Sequence, residues 1–250
     1  MPARYELKKS ARRSMSGRKP SVYLVALVYI VVSYILSILA ERVMFPGISI
    51  SEIQYSLASG DYTIIEQMPY YMHSSVLGEL ISVAVTIMSS MLAIGFSFFC
   101  LRVSRDEEAG FGNLLDAFGM FFRFLWLQIL IWIFTFLWSL LFIIPGIVAS
   151  YRYSMAVYIM MDNPEYSALE CINRSKELMR GRKGSLFVLD LSFIGWSILT
   201  LIPFVSIFVS PYIEVTRANF YNALIGYLPP RGNGTVYDVP YEDCDDGKWR

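Results

Sequence analysis

Five basic side chains, Arg174, Lys176, Arg180, Arg182 and Lys183, stand just before a long apolar run, and nothing else in the chain restricts its folding as strongly. Cations beside a membrane-spanning segment stay on the cytoplasmic side, so every other segment is threaded relative to this one. The polar interval that carries them, residues 162–184, reads as a helix over residues 164–180. Asn163 offers a cap, Pro164 suits the first helical position, and Glu165 and Glu170 match the positive N-terminal end. Arg174, Lys176 and Arg180 match the other end, and Gly181 stops the helix. Ala168, Leu169, Ile172, Ser175 and Met179 recur at three- and four-residue steps, which predicts an amphipathic helix lying along a surface, apolar side down. Leu169, Ile172, Arg174, Met179 and Arg180 are its candidate interfacial residues.

The rest of the chain supplies the membrane. Hydrophobic residues make up 55% of 250, charged residues 17%, and mean hydropathy is +0.47, too apolar for a soluble domain. Net charge is zero but unevenly placed: Arg4, Lys8, Lys9, Arg12, Arg13, Arg18 and Lys19 crowd the start, and residues 43–101 contain no Lys or Arg. A basic end beside a span signals orientation or an anchor on anionic lipid, which excludes nucleic acid as the partner. Cys100, Cys171 and Cys244 are scattered and odd in number, so free thiols are expected. The first apolar run has no clear cleavage site and reads as an uncleaved span.

These signals predict an all-α polytopic membrane bundle of six transmembrane helices with short amphipathic interfacial helices and both termini cytoplasmic. Residues 1–20, with Leu7, Ala11 and Met15 at four-residue steps, read as a short helix on the lipid surface. The expected spans within a domain of residues 21–228 are 21–40, 76–101, 124–144, 145–161, 186–202 and 207–225. Residues 46–73 form an external loop in which Ser51 and Gln54 open a small helix over Ile53 and Leu57 and Tyr62, Tyr70 and Tyr71 suit the headgroups. Ser82, Thr86, Ser90, Ala93 and Ser97 fall on one face of the second span as a packing seam. Phe111, Leu114, Leu115 and Phe118 suggest a further interfacial helix. The count is decided at residues 145–161, a short span of ~25 Å, because an odd number of crossings would leave the basic segment outside. LFIIP at residues 141–145 is echoed by LTLIP at 199–203, so spans three and four resemble five and six. The tail, residues 229–250, is acidic, loosely ordered and cytoplasmic, which sets aside the glycosylation pattern at Asn233.

Four ionisable residues lie within the last three spans: Arg152, Asp190, Glu214 and Arg217. Each costs roughly 2.5 to 3.5 kcal/mol on insertion without a partner. Counted from the outer turns, Arg152 lies ~10 Å deep and Glu214 ~11 Å, so these two are expected to pair, with Arg217 reaching Asp190 or Glu214. The cluster is either a neutral lock holding three helices in register or a proton- or solute-binding site. No catalytic, cofactor or metal residues are nominated: His73 is the only histidine, and no HExxH, GxSxG or phosphate-loop pattern occurs.

An ordered series of segments carries a resemblance. Ile144-Pro145-Gly146-Ile147, YRYSM at residues 151–155, Asp162-Asn163-Pro164, Ala168-Leu169-Glu170, RSKELM at residues 174–179, Gly181, Leu186-Phe187, LSFIGW at residues 191–196, and Pro211-Tyr212 with Phe220-Tyr221 resemble the bacterial membrane family called domain of unknown function 975. The Ile-Pro-Gly and Arg-Ser-x-Glu-Leu features are more distantly similar to membrane domains of some glycerophosphodiester phosphodiesterases, whose catalytic domain has no counterpart here. In place of the family's glycine-rich turn after the Trp, residues 197–206 stand. The resemblance implies a protein of the bacterial cytoplasmic membrane and no established activity. The functional expectation is therefore a non-enzymatic scaffold or accessory component that contacts the lipid bilayer and a membrane or cytoplasmic protein. The alternative is a small transporter, or a protein that binds lipid or peptide within the bilayer through the charge cluster.

Overall fold

The computed structural model describes residues 4–18, 20–44, 50–60, 76–199 and 203–227. Tyr62, Tyr70, Tyr71, His73, the LTLIP residues 200–202, Cys244 and the tail lie outside the described residues. All the regular structure described is helical: α1 Arg4–Met15, α2 Val22–Met44, α3 Ile50–Ser59, α4 Val76–Ser104, α5 Asn113–Gly119, α6 Phe121–Leu141, α7 Ile143–Tyr153, α8 Ala156–Asp162, α9 Ala168–Leu178, α10 Lys183–Leu191, α11 Ile194–Leu199 and α12 Pro203–Leu224. Among the described residues, four runs are long and apolar enough to cross a membrane: Val22–Ala40, Gly78–Ser104, Phe121–Leu141 and Ile143–Asp162.

The buried core gathers at one end of these runs. Val22, Val25 and Ala26 of α2 are buried, as are Met91, Phe96, Phe99 and Val103 toward the end of α4, Phe124 and Leu127 near the start of α6, and most of α8. The other ends of α2, α4, α6 and α7 expose their apolar side chains. The molecule is a packed base from which apolar arms project, the distribution expected when lipid covers what protein does not. Tyr29 stacks on Phe96 at 4.4 Å to fix α2 against α4. Gly95 lets α5 lie on α4, since a methyl group there would meet the Leu114 Cα at 3.0 Å. The small-residue seam is thus realised only near the base: Thr86 is exposed and its hydroxyl bonds back to the Ser82 carbonyl.

The basic N-terminal helix behaves differently from a helix on lipid. Leu7, Ala11, Ser14 and Met15 of α1 are buried against protein, in contact with α12 and α4. The Asn219 side chain donates to the Leu7 carbonyl at 3.3 Å, and the Lys8 ammonium sits 4.1 Å over the Phe193 ring. Arg18 then reaches the end of α4, donating to the Val103 carbonyl at 3.0 Å and the Glu107 carbonyl at 2.6 Å while pairing with Asp106 at 2.6 Å. It ties α1 to the turn that follows α4, adding to the bond that the Asp106 N–H gives the Val103 carbonyl at 3.3 Å. The next interfacial helix is also partly covered: Leu114 of α5 is buried, whereas Leu115 is exposed. α3 forms where a small helix was expected, but it begins at Ile50, so Ser51 lies inside its first turn.

The last two expected spans depart most from expectation. Residues 186–202 contain two short helices, α10 and α11, interrupted at Ser192-Phe193, where the Phe193 N–H bonds the Asp190 carbonyl at a three-residue step. Residues 207–224 fall in α12, which has Pro211 in its interior. Glu214 meets Ser97 and Asn222 meets Ser104, so α12 follows the last turns of α4. A straight continuation would carry Phe208 near Tyr34 of α2, about three turns from the base. Phe208 instead packs on Tyr23, 5.1 Å between ring centroids, so α12 crosses the base of α2. Proline removes a ladder bond and is the usual cause of such a change of direction.

Candidate functional site: two tiers of paired charge

The base holds two connected polar groups. In the lower one, Arg105, one residue past α4, donates both arms to Asp162 at the end of α8, 2.6 Å on each side. Its Nε donates to the Asn222 oxygen at 3.0 Å, and the Asn222 amide donates to Ser104 Oγ at 2.9 Å. The Tyr221 hydroxyl gives Asp162 a further bond at 2.9 Å, and the Tyr227 ring lies 4.6 Å from the guanidinium. Burial works against the Arg105 charge, but the Asp162 hydrogen bond and charge outweigh it, and its pKa lies above the ordinary arginine value. Forked pairing of this kind fixes the ends of three helices, α4, α8 and α12, with both ions satisfied.

The upper tier is built around Arg217. Its guanidinium contacts Asp190 at 3.2 Å and Glu214 at 3.4 Å. Glu214 also accepts from Ser97 Oγ and from the Tyr158 hydroxyl, each at 3.4 Å. Tyr158 stacks on Tyr221 at 5.3 Å, which joins the tiers through two aromatic rings. Asp190, Glu214 and Arg217 are thus brought together. Arg152 is not: among the described residues its side chain forms no ion pair, and its backbone carbonyl takes the Ser175 hydroxyl at 2.9 Å. The expected Arg152–Glu214 pair fails because Glu214 is level with Tyr158, six residues further along the returning chain. Counting depth from an outer turn assumed that α12 descends straight from such a turn, and it does not.

The amphipathic helix is also shifted. Asn163 closes α8, its side chain donating to the Ile159 carbonyl at 3.2 Å, and its φ of −132° and ψ of 76° lie outside the helical region, which a following proline disfavours. α9 therefore starts at Ala168, capped by Ser167, whose hydroxyl accepts the Glu170 N–H at 3.3 Å. Ala168, Cys171, Ile172, Ser175 and Met179 face the protein. Leu169, expected on the same side, is 52% exposed. Arg174 lies half-buried, 5.5 Å from the Tyr166 ring, and Arg180 is exposed. Cys100 and Cys171 are free thiols. Burial, helped by Glu170 and then Glu165, pushes the Cys171 thiol up to about 11. Among the described residues no group of three His, Cys, Asp or Glu is placed to hold a metal ion.

The profile of the family described as protein of unknown function DUF975 matches residues 1–148 and 140–226. The chain belongs to the DUF975 family. No curated protein and no solved structure matches it. In this DUF975 chain the segments that carried the resemblance have definite structural work. Asp162 anchors Arg105, Asn163-Pro164 ends α8, Ser175 ties α9 to the Arg152 backbone, and Tyr221 links the two charge tiers. Sequence reasoning passed over the lower tier because Arg105 and Asp162 read as loop boundaries 57 positions apart. A lone arginine at one span end and a lone aspartate at another was the available signal.

Proposed function

We propose that this DUF975 protein is a non-enzymatic multi-pass protein of the bacterial cytoplasmic membrane, both termini inside, that acts as a scaffold or accessory component for a protein partner. The observation that carries this reading is the outer face of α9. Its inner side is locked to the base, while Leu169, Glu170, Asn173, Glu177 and Arg180 form its exposed face. One exposed leucine among charges of both signs suits a polar partner whose charges interleave with these. The topology is supported by parity: α2 leads out, α4 returns, and the N-terminal and α9 cations then share a side. Six crossings would keep that parity. The interruption at Ser192-Phe193 and the packing of Phe208 on Tyr23 favour holding residues 183–224 at the base.

A photocrosslinking side chain at Leu169 tests the reading in native membranes. One discrete adduct, lost when Glu177→Lys and Arg180→Glu are combined, is the expected result. Absence of any adduct, or adducts indifferent to the charge reversal, would refute it. Ile172 and Met179 are buried, so charging them would report folding and not docking. One observation favours the transport reading: the Arg217 side chain stays 40% exposed between its two carboxylates, within reach of a proton or solute. Proton uptake by reconstituted vesicles that disappears in Glu214→Gln, with the protein still folded, would replace the scaffold by that second reading.

A further inference from the structure

The turn between α6 and α7 has no polar side chain from Leu140 to Ala149, and its turn-forming residues, Pro145 and Gly146, lie inside α7 and not at the bend. Phe142 is its sole non-helical residue, and Leu140, Phe142, Ile143 and Ile144 are 73%, 70%, 77% and 75% exposed. A hairpin that crosses a bilayer puts its turn among headgroups and water, where turns are built of Gly, Pro, Asn, Asp and Ser. Each exposed apolar side chain would there forgo ~25 cal/mol per Å² of burial. At the bend itself the Phe142 N–H bonds the Trp138 carbonyl at 3.3 Å and its own carbonyl receives the Gly146 N–H at 3.3 Å, so the one irregular residue keeps both its backbone groups paired, as hydrocarbon requires.

The height of α9 is a second, independent constraint. The Ser175 hydroxyl bonds the Arg152 carbonyl at 2.9 Å, and the Lys176 ammonium lies 5.7 Å from the Phe134 ring and 5.8 Å from the Tyr153 ring. The charged helix therefore runs up beside the hairpin and not beneath it. Beyond that level α6 has only the stretch from Phe134 to Phe142 and α7 only that from Ile143 to Arg152, ~12 to 14 Å of helix against a hydrocarbon core of ~30 Å. If Glu170, Glu177 and Arg180 on the exposed side of α9 are in water, the hairpin reaches about the middle of the bilayer.

We infer that α6 and α7 form a re-entrant wedge, inserted tip-first into the cytoplasmic leaflet and turning back within it, with Phe142, Ile143 and Ile144 against lipid acyl chains. Lys176, 5.7 Å from the Phe134 ring, sits behind the tip, where anionic headgroups complement it. Entry and return on one side leave the number of crossings even. The inference rests on the cytoplasmic placement of α9 proposed above and is independent of any protein partner.

The test uses the full chain with Cys100, Cys171 and Cys244 replaced by alanine and single cysteines at Ile143, Glu177 and Ala58. In intact cells a membrane-impermeant maleimide should label Ala58→Cys and leave Ile143→Cys at the cysteine-free background, and inside-out vesicles should expose Glu177→Cys alone. A fluorophore on Ile143→Cys, in phosphatidylethanolamine and phosphatidylglycerol vesicles, should be quenched most by spin labels deep in the acyl chains. Labelling of Ile143→Cys from outside, with quenching by headgroup labels, would establish a full crossing and overturn the wedge. Labelling from inside without lipid quenching would place the tip in water and overturn it equally. Glu177→Cys labelled from outside would overturn the topology itself, a separable failure. Leu141→Cys serves where the Ile143 variant does not accumulate.

Discussion

Replacing Asp162 by alanine should be the most damaging single change at the base. It strips the Arg105 guanidinium of both its 2.6 Å bonds and leaves the Tyr221 hydroxyl without its 2.9 Å acceptor. Removing one partner of a buried pair costs ~3 to 5 kcal/mol, and with Arg105 11% and Asp162 20% exposed the lower end applies. At ~2 to 4 °C per kcal/mol for a chain of this length, ~3 kcal/mol lowers Tm by ~6 to 12 °C. Asp162→Asn keeps an acceptor for Tyr221 and should lose less. Arg105→Leu combined with Asp162→Leu should regain much of the loss, since an apolar pair avoids stranding a charge. Thermal unfolding of the protein in lipid nanodiscs measures all three. A wild-type Tm for Asp162→Ala, or a double variant worse than either single change, would refute the claim that this pair holds α4, α8 and α12 together.

Three further outcomes follow from other contacts. Arg152→Gln should cost within ~0.5 kcal/mol, because its side chain has no ion-pair partner among the described residues, whereas Arg217→Met, which strands Asp190 and Glu214, should cost several-fold more in the same melts. The Cys171 thiol, held up to about 11 against an ordinary 9.0, should resist maleimide at pH 8 until the protein unfolds. Because the folded pKa is raised, its contribution to stability is complete below pH 9 and is lost as pH climbs through about 11, a decline that Cys171→Ser should flatten. Gly146→Ala should cost ~1 to 3 kcal/mol by forcing α7 from α6, since its methyl group would lie 2.9 Å from the Ser139 Cα. Denaturant melts of Gly146→Ala beside Ile147→Ala would check that, the second change touching no such contact.

Hydrophobic runs and charge asymmetry located the four long apolar helices within a few residues, because length and apolarity are local properties of a segment. Contacts that depend on height were harder to read. Counting residues from an assumed outer turn placed Arg152 beside Glu214, and the slant of α12 across α2 set them apart. Helical periodicity grouped Leu169 with Ile172 and Met179, yet at ~3.6 residues per turn Leu169 stands roughly 100° from the centre of the stripe formed by Ala168, Cys171, Ile172, Ser175 and Met179, and so it faces outward. Arg217 and Asp190, both marked by their place in apolar sequence, do meet. Arg105 and Asp162 carried no such mark, because a charge at the end of a span looks like an ordinary boundary. The apolar arms hid a different fact, since a stretch long enough to cross a bilayer says nothing about whether its turn reaches the far side.

The grip of α1 on α12 has a consequence for synthesis. The Leu7 carbonyl bonds Asn219, 212 positions along the chain, and Lys8 covers Phe193, so α1 is completed by residues that emerge long after it. Until then Leu7, Ala11 and Met15 lack the surface that α12 supplies, and a nascent helix with basic residues on its other faces is suited to rest on anionic lipid as an amphipathic segment. Its release from the bilayer surface would then follow the emergence of Asn219, and a ribosome stalled before that residue would leave it lying on the membrane.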